Sequence, residues 1–214
     1  MESHEHPAHA RTGHRGLDIV LSSVAVVISL VSIFVAYHTS HSMEKLVQAN
    51  SWPFLQLGHG NAFGETAVIG EPSSAQIYFT VSNAGTGPAV IHSFEFRLDE
   101  QAFPADGGTI ERFLKACCAE LLTEDVKVGN TASTPIADTV LAPGSDETVL
   151  RWPLRPENEK LWLALDRVRQ HNRIAMSACY CSVFDECWVA DTSTFPPRKV
   201  TSCETGAIGK APAG

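Results

Sequence analysis

The side chains most able to do chemistry in this sequence are its six cysteines, and the densest group is Cys179-Tyr180-Cys181. Two thiols two residues apart could act as a redox pair or supply half of a metal site. Strand geometry opposes direct pairing. Residues i and i+2 project from the same face with Cβ atoms about 6 to 7 Å apart, whereas a disulfide needs about 3.8 Å. Each is therefore expected to bond elsewhere, and Cys187 is the nearest partner for Cys181 across a five-residue loop. Cys117-Cys118 falls inside a helical pattern, where a vicinal disulfide would break the geometry, so each is expected to point into the core or reach a strand. Cys203 could tie down a polar C-terminal tail. Structural disulfides lead over redox catalysis and over metal binding, and no metal ligand is assigned. Six cysteines allow fifteen pairings, and spacing does not choose among the rest.

The histidines give less. His4, His6, His9 and His14 could bind copper, nickel or zinc, but their stretch has no ordering element and reads as a solvated arm. His59, His92 and His171 stand alone, outside any HExxH or nucleophile-elbow pattern. Gly58 to Gly64 has no GK[ST] and reads as a hairpin loop. No catalytic residue and no cofactor is assigned.

The elements that must position these residues begin with an anchor. Leu17 to Tyr37 (LDIVLSSVAVVISLVSIFVAY) carries one charge, Asp18, at its edge and as a helix covers roughly 31 Å, the thickness of a bilayer core. A signal peptide is the rival reading. The apolar stretch is too long for one, and Phe34, Ala36, His38 and Ser40 offer no small-x-small cleavage site. Met43 to Asn50 continues the helix as a stalk until Ser51-Trp52-Pro53 ends it. Ser22, Ala25, Ser29, Ser32 and Ala36 recur at spacings of three and four, a face of small residues on which two copies could form a homodimer. Scattered serines on an ordinary membrane helix are the plainer alternative.

Strands are expected at Phe54–Leu57, Thr66–Ile69, Ala75–Ser82, Ala89–Leu98 with a break near His92-Ser93, Glu147–Leu154, Ile174–Val183 and Cys187–Ala190. Thr109–Asp125 carries one apolar stripe through Ile110, Phe113, Leu114, Cys117, Cys118, Leu121 and Leu122, and predicts a helix with Thr109 as its N-cap. Pro156–Asn172 predicts another, with proline at its first position and Leu161, Leu165 and Val168 facing the core. The division is then a disordered cytoplasmic arm (1–16), a transmembrane helix (17–37), a helical stalk (38–51), a β-sandwich domain (52–200) and a flexible tail (201–214).

Sidedness rests on charge and sulfur. Arg11 and Arg15 precede the span and Lys45 alone follows it closely, so the positive-inside rule keeps the arm in the cytoplasm and sends the domain across the inner, or plasma, membrane. An even number of cysteines suits an oxidising compartment, most simply a bacterial periplasm. The formal net charge is -8, and Glu2 and Glu5 balance Arg11 and Arg15 within the arm, so the acidic excess lies beyond it. Such a domain is repelled by phosphate backbones, and nucleic acid is excluded as a partner class.

The order AQIYFTVS, NAGTGPAVI (Asn83 to Ile91), a charged turn at Asp99-Glu100 and LAPGSDETV (Leu141 to Val149) resembles the immunoglobulin-like modules of bacterial envelope proteins. The closing CYCSVFDECW (Cys179 to Trp188) is similar to segments of bacterial single-pass membrane proteins. The resemblance implies a mainly-β domain, an immunoglobulin-like β-sandwich with two inserted helices, and no particular activity. The expected function is a membrane-anchored extracytoplasmic interaction module for a protein or glycan. The rival is a thiol-based envelope oxidoreductase using Cys179 and Cys181.

Overall fold

The computed structural model describes residues 15–61, 75–123 and 126–203, and the chain divides into two compact units, residues 1–47 and 48–214. The first holds most of helix α1 (Arg15–Asn50). Its side chains are exposed from Gly16 onward, and it is long and apolar enough to cross a membrane, a test that a signal sequence also passes. Its serine hydroxyls bond to their own backbone. Ser29 donates to Ala25 O at 2.8 Å and Ser32 to Ile28 O at 2.8 Å, so the polar groups of the small-residue face are already satisfied within the helix.

The second unit is built on two antiparallel sheets. One runs β1 (Leu55–Gly60), β2 (Gln76–Asn83), β7 (Asp146–Pro153), β5 (Ala132–Ser133). The other runs β10 (Thr194–Val200), β9 (Cys187–Asp191), β8 (Ile174–Cys181), β3 (Ala89–Leu98), β4 (Gln101–Pro104), with β6 (Thr139–Leu141) also pairing with β3. In β2 the alternation is regular: Ile77, Phe79 and Val81 are buried between half-exposed neighbours. Strand β3 needs a correction of phase. Ala89 and Ile91 are buried at odd positions, Phe94, Phe96 and Leu98 at even ones. Between them a bulge sets Ile91 and Ser93 against the consecutive residues Tyr180 and Cys179, and the one extra residue, His92, keeps both halves facing the core. The break expected near His92-Ser93 is this bulge.

Aromatic rings join the layers. Phe79 of the first sheet meets Phe96 of the second at 5.1 Å between centroids, and Phe96 meets Phe113 at 5.5 Å. Phe113 lies on α2 (Thr109–Cys117). Trp162 on α3 (Glu159–Gln170) donates to Trp152 O at 3.0 Å, and Leu161 and Leu165 are fully buried.

Asn83 is the polar hub of the domain. It is buried, yet its carbonyl accepts from Phe54 N (3.1 Å) and Gly85 N (3.0 Å), and its amide donates to Gly87 O (2.8 Å) and Leu141 O (3.1 Å). Every polar capacity of the side chain is used, which is what a buried amide requires. The turn it supports presses against the start of the domain. A Cβ on Gly87 would lie 2.0 Å from Ser51 O, so only glycine fits.

Several sequence expectations change. Gly58 and Gly60 belong to β1 and not to a hairpin loop. Gly60 is paired with Tyr78, whose ring covers the position a Cβ would take. Helix α2 stops at Cys117, and only a 3-10 turn, Ala119–Leu121, follows. Thr109 is the first helical residue and Gly108 the cap, with Thr109 Oγ1 accepting from Asp106 N at 2.9 Å instead of capping the helix. Helix α3 begins at Glu159 and not at Pro156, because Asn158 closes a turn by accepting from Arg155 N at 2.8 Å. Strands β4, β5, β6 and β10 were not expected. The Thr66–Ile69 strand and the histidines of the arm lie outside the described residues.

Candidate functional site

The hairpin of β8 and β9, inside the larger sheet, carries three cysteines, and Cys203 from beyond β10 joins them. Cys179 and Cys181 point to the same face of β8 because they are two apart. Cys181 lies directly opposite Cys187 in the ladder, and Cys179 opposite Val189. The five-residue connection Ser182–Glu186 is closed by Ser182 N donating to Glu186 O at 2.7 Å, with Asp185 at φ 59. Cys181 and Cys187 are bonded, Sγ to Sγ, at 2.05 Å. Cys179 is bonded at 2.10 Å to Cys203, which follows β10 and ties the chain end back across the hairpin. The two bridges touch: Cys181 Sγ and Cys203 Sγ are 3.7 Å apart. Cys179 is fully buried, Cys181 and Cys187 nearly so, and Cys203 half-buried. The CxC pair is thus divided between two disulfides.

On the opposite face of β8, Tyr180 is also fully buried. Its hydroxyl accepts from Leu55 N at 3.4 Å and its ring stacks on Trp188 at 5.8 Å. Burial pushes its pKa up to about 12, so it stays a neutral phenol and serves packing.

Cys117 and Cys118 form a vicinal bridge at 2.06 Å, against the expectation that each would point separately into the core. The reason lies in where the helix ends. Cys118 has φ -147 and ψ 33, outside helical values, while its N–H still bonds Leu114 O at 2.9 Å. The bridge therefore sits at the helix terminus, where it interrupts nothing. Cys118 lines an open cleft of about 520 Å³ with Glu120, Leu121, Arg167, His171 and Arg173.

A third cluster was missed by sequence reading. Asp166 and Arg169 of α3 are buried, and Arg169 Nε and Nη2 donate to Asp166 Oδ1 at 2.8 and 2.7 Å. Asp166 Oδ2 accepts from Asn61 (2.9 Å) and Gln170 (2.6 Å), and Arg169 Nη1 lies 3.2 Å from His59 Nδ1. Burial and then the Arg169 charge lower the pKa of His59, so a neutral ring accepts the arginine proton. The signal was present: Trp162, Leu165, Asp166 and Arg169 fall at i, i+3, i+4 and i+7, a charged pair inside an apolar stripe. Neither this cluster nor the cleft brings a nucleophile beside a base, and His171 stays on the surface.

Family models, curated proteins and solved structures compared with this chain give no match.

Proposed function

We propose that the chain is a membrane-anchored extracytoplasmic interaction module. The reading is carried by one observation: all six cysteines are paired, in three disulfides. A domain that commits every thiol to a bridge suits an oxidising compartment. The apolar helix α1 supports an anchor, and Arg11 and Arg15 ahead of it support a cytoplasmic N-terminus in the inner, or plasma, membrane. The two sheets, joined through Phe79 and Phe96, are consistent with an immunoglobulin-like sandwich with α2 and α3 as insertions. Such a framework presents loops to a protein or glycan partner, with nucleic acid disfavoured by the acidic charge. The thiol-oxidoreductase alternative draws no support from the site, since Cys179 and Cys181 are buried in separate bridges.

Alkaline phosphatase fused after Gly214 tests the reading. It is expected to be active only because the C-terminus has crossed the membrane; activity of a cytoplasmic reporter at the same point would overturn the sidedness. Homodimerisation through Ser22, Ala25, Ser29, Ser32 and Ala36 belongs to the same proposal. With the hydroxyls of Ser29 and Ser32 bonded to their own helix, close backbone approach would supply most of the contact. Changing Ser29 and Ser32 to leucine is expected to weaken a span-association reporter, and an unchanged signal would remove the dimer.

A further inference from the structure

We infer that the free edge of β1 takes an extended segment of a partner polypeptide as an added strand, laid over β10. The inference rests on the interaction-module reading and deepens it, naming a polypeptide and not a glycan as the partner at this edge.

Sheet width is the first argument. Leu55 N–H donates to the Tyr180 hydroxyl at 3.4 Å, which sets β1 over β8, and β1 also packs on β9. The smaller sheet ends at β1, but the larger one continues a strand further, to β10. The overhang leaves a groove of about 250 Å³, with Leu55, Leu57 and Ala190 on one side and Thr194, Phe195 and Pro197 on the other. Phe195 packs on Phe54 at 5.8 Å between ring centroids, yet it is 80% exposed. A strand hydrogen-bonded to β1 would lie about 4.8 Å beyond it, over this overhang.

Backbone polarity is the second argument. Ala84 N donates to Phe54 O at 2.9 Å, so Phe54 turns its carbonyl toward β2, and Leu55, one residue on, turns its N–H away. Alternation along an antiparallel ladder carries this through the strand: Gln56 and Gly58 bond to β2, while Leu57 and His59 direct N–H and C=O outward. Those outward groups have no partner among the described residues. Another extended backbone supplies donors and acceptors at the same repeat. The other sheet edges are guarded. β10 contains Pro196 and Pro197, β4 has four residues and ends in Pro104, and β5 has two residues. β1 has six residues, none of them proline or lysine.

Room decides the occupant. A second copy paired through its own β1 would bring its own β9 and β10 beneath that strand, into the space that β10 already fills. A single extended segment carries no second layer. Its side chains alternate, so those facing Leu57, Ala190 and Phe195 should be apolar and the others polar.

The test pans a displayed library of random decapeptides against the full chain in detergent and measures the recovered peptide, once synthesised, by fluorescence anisotropy. Peptides with alternating apolar residues are expected. Phe195→Ala should weaken binding about tenfold. N-methylation of the peptide should cost about tenfold at every second position and little between them. In the free chain, amide exchange should be fast at Leu57 and His59 and slow at Gln56 and Gly58, and the peptide should slow the fast pair. Leu57→Pro, which removes one outward N–H, should abolish binding with an unchanged near-ultraviolet circular dichroism spectrum; if that variant unfolds, the N-methyl series makes the same point on the unaltered chain. Recovery of no binder would overturn the inference, as would a binder indifferent to Phe195→Ala and to N-methylation. So would slow exchange at Leu57 and His59 in the free chain, the edge then being covered by the chain itself or, where dilution removes the protection, by a second copy. The phosphatase fusion reads sidedness with no peptide present, so failure of either reading is distinguishable from failure of the other.

Discussion

Two ends of the domain are tied to distant segments by different chemistry. In the larger sheet, a disulfide fixes Cys203 to the central strand β8 across 24 residues of sequence. At the smaller sheet, β1 and the residue after it are fixed to α3 across more than a hundred residues by charge and hydrogen bonds, from His59 to Arg169 and from Asn61 to Asp166. The covalent tie acts mainly by restricting the unfolded chain, so its strength follows the loop it closes. The ionic tie acts in the folded state alone, and its strength lies in what is left behind when one partner goes. The vicinal bridge at Cys117–Cys118 is the control that nature supplies. With a sequence separation of 1 it closes no loop.

The comparison can be broken most forcefully at Asp166. Asp166→Ala strands a buried arginine and is expected to cost about 3 to 5 kcal/mol, read from the urea midpoint. The double change Asp166→Leu/Arg169→Met should recover much of that loss. If the double variant were as unstable as the single one, packing and not the orphaned charge would be the cause. Removing the covalent tie with Cys179→Ser/Cys203→Ser comes next, at about 3 kcal/mol from loop closure. The corresponding Cys117→Ser/Cys118→Ser variant should lose under about 1 kcal/mol. Equal losses for the two pairs would show that loop closure is not what the bridges contribute.

The smallest effect separates the ties by pH. The folded-state pKa of His59 lies below the ordinary 6.5, so the folded domain binds fewer protons there than the unfolded chain does. Its contribution is complete above pH 6.5. It is lost as pH falls from there through the lower folded value. His59→Gln keeps an acceptor for Arg169 and should flatten stability against pH in that window, while Cys179→Ser/Cys203→Ser leaves the slope unchanged. An unaltered slope in His59→Gln would assign the titration elsewhere.

How much of this was readable from sequence depends on the range over which each feature is fixed. The alternation in β2 and the helical stripe of α3 are local, and both emerge directly from residue order. The exclusion of a Cys179–Cys181 bridge follows from strand spacing, and so does the facing position of Cys187 across a five-residue loop. The failures share a cause. The stripe from Ile110 to Leu122 continues past the point where the chain leaves the helix, because hydrophobic periodicity does not register a covalent closure between neighbours. Strands β4, β5 and β6 are short, and β5 and β6 have two or three residues each, fewer than alternation needs to declare itself. Gly58 and Gly60 look like turn residues until Thr80 and Tyr78 are seen opposite them. The Asp166–Arg169 cluster needed Asn61 and His59, brought from the far end of the domain.

The bulge at His92 sets the reading frame of β3. A strand is read two residues at a time, and β3 contains one residue more than an even count allows between its two buried halves. Deleting His92 would place Ala89, Ile91, Phe94, Phe96 and Leu98 at strictly alternating positions, so an unbulged strand would still turn all five toward the core. Keeping His92 while forcing it into the ladder would do the opposite: either Ala89 and Ile91 or Phe94, Phe96 and Leu98 would turn toward water, although no apolar residue had been lost. The strand carries its own frameshift and its correction at a single position, so a one-residue insertion or deletion within either buried half does more than the removal of His92 itself.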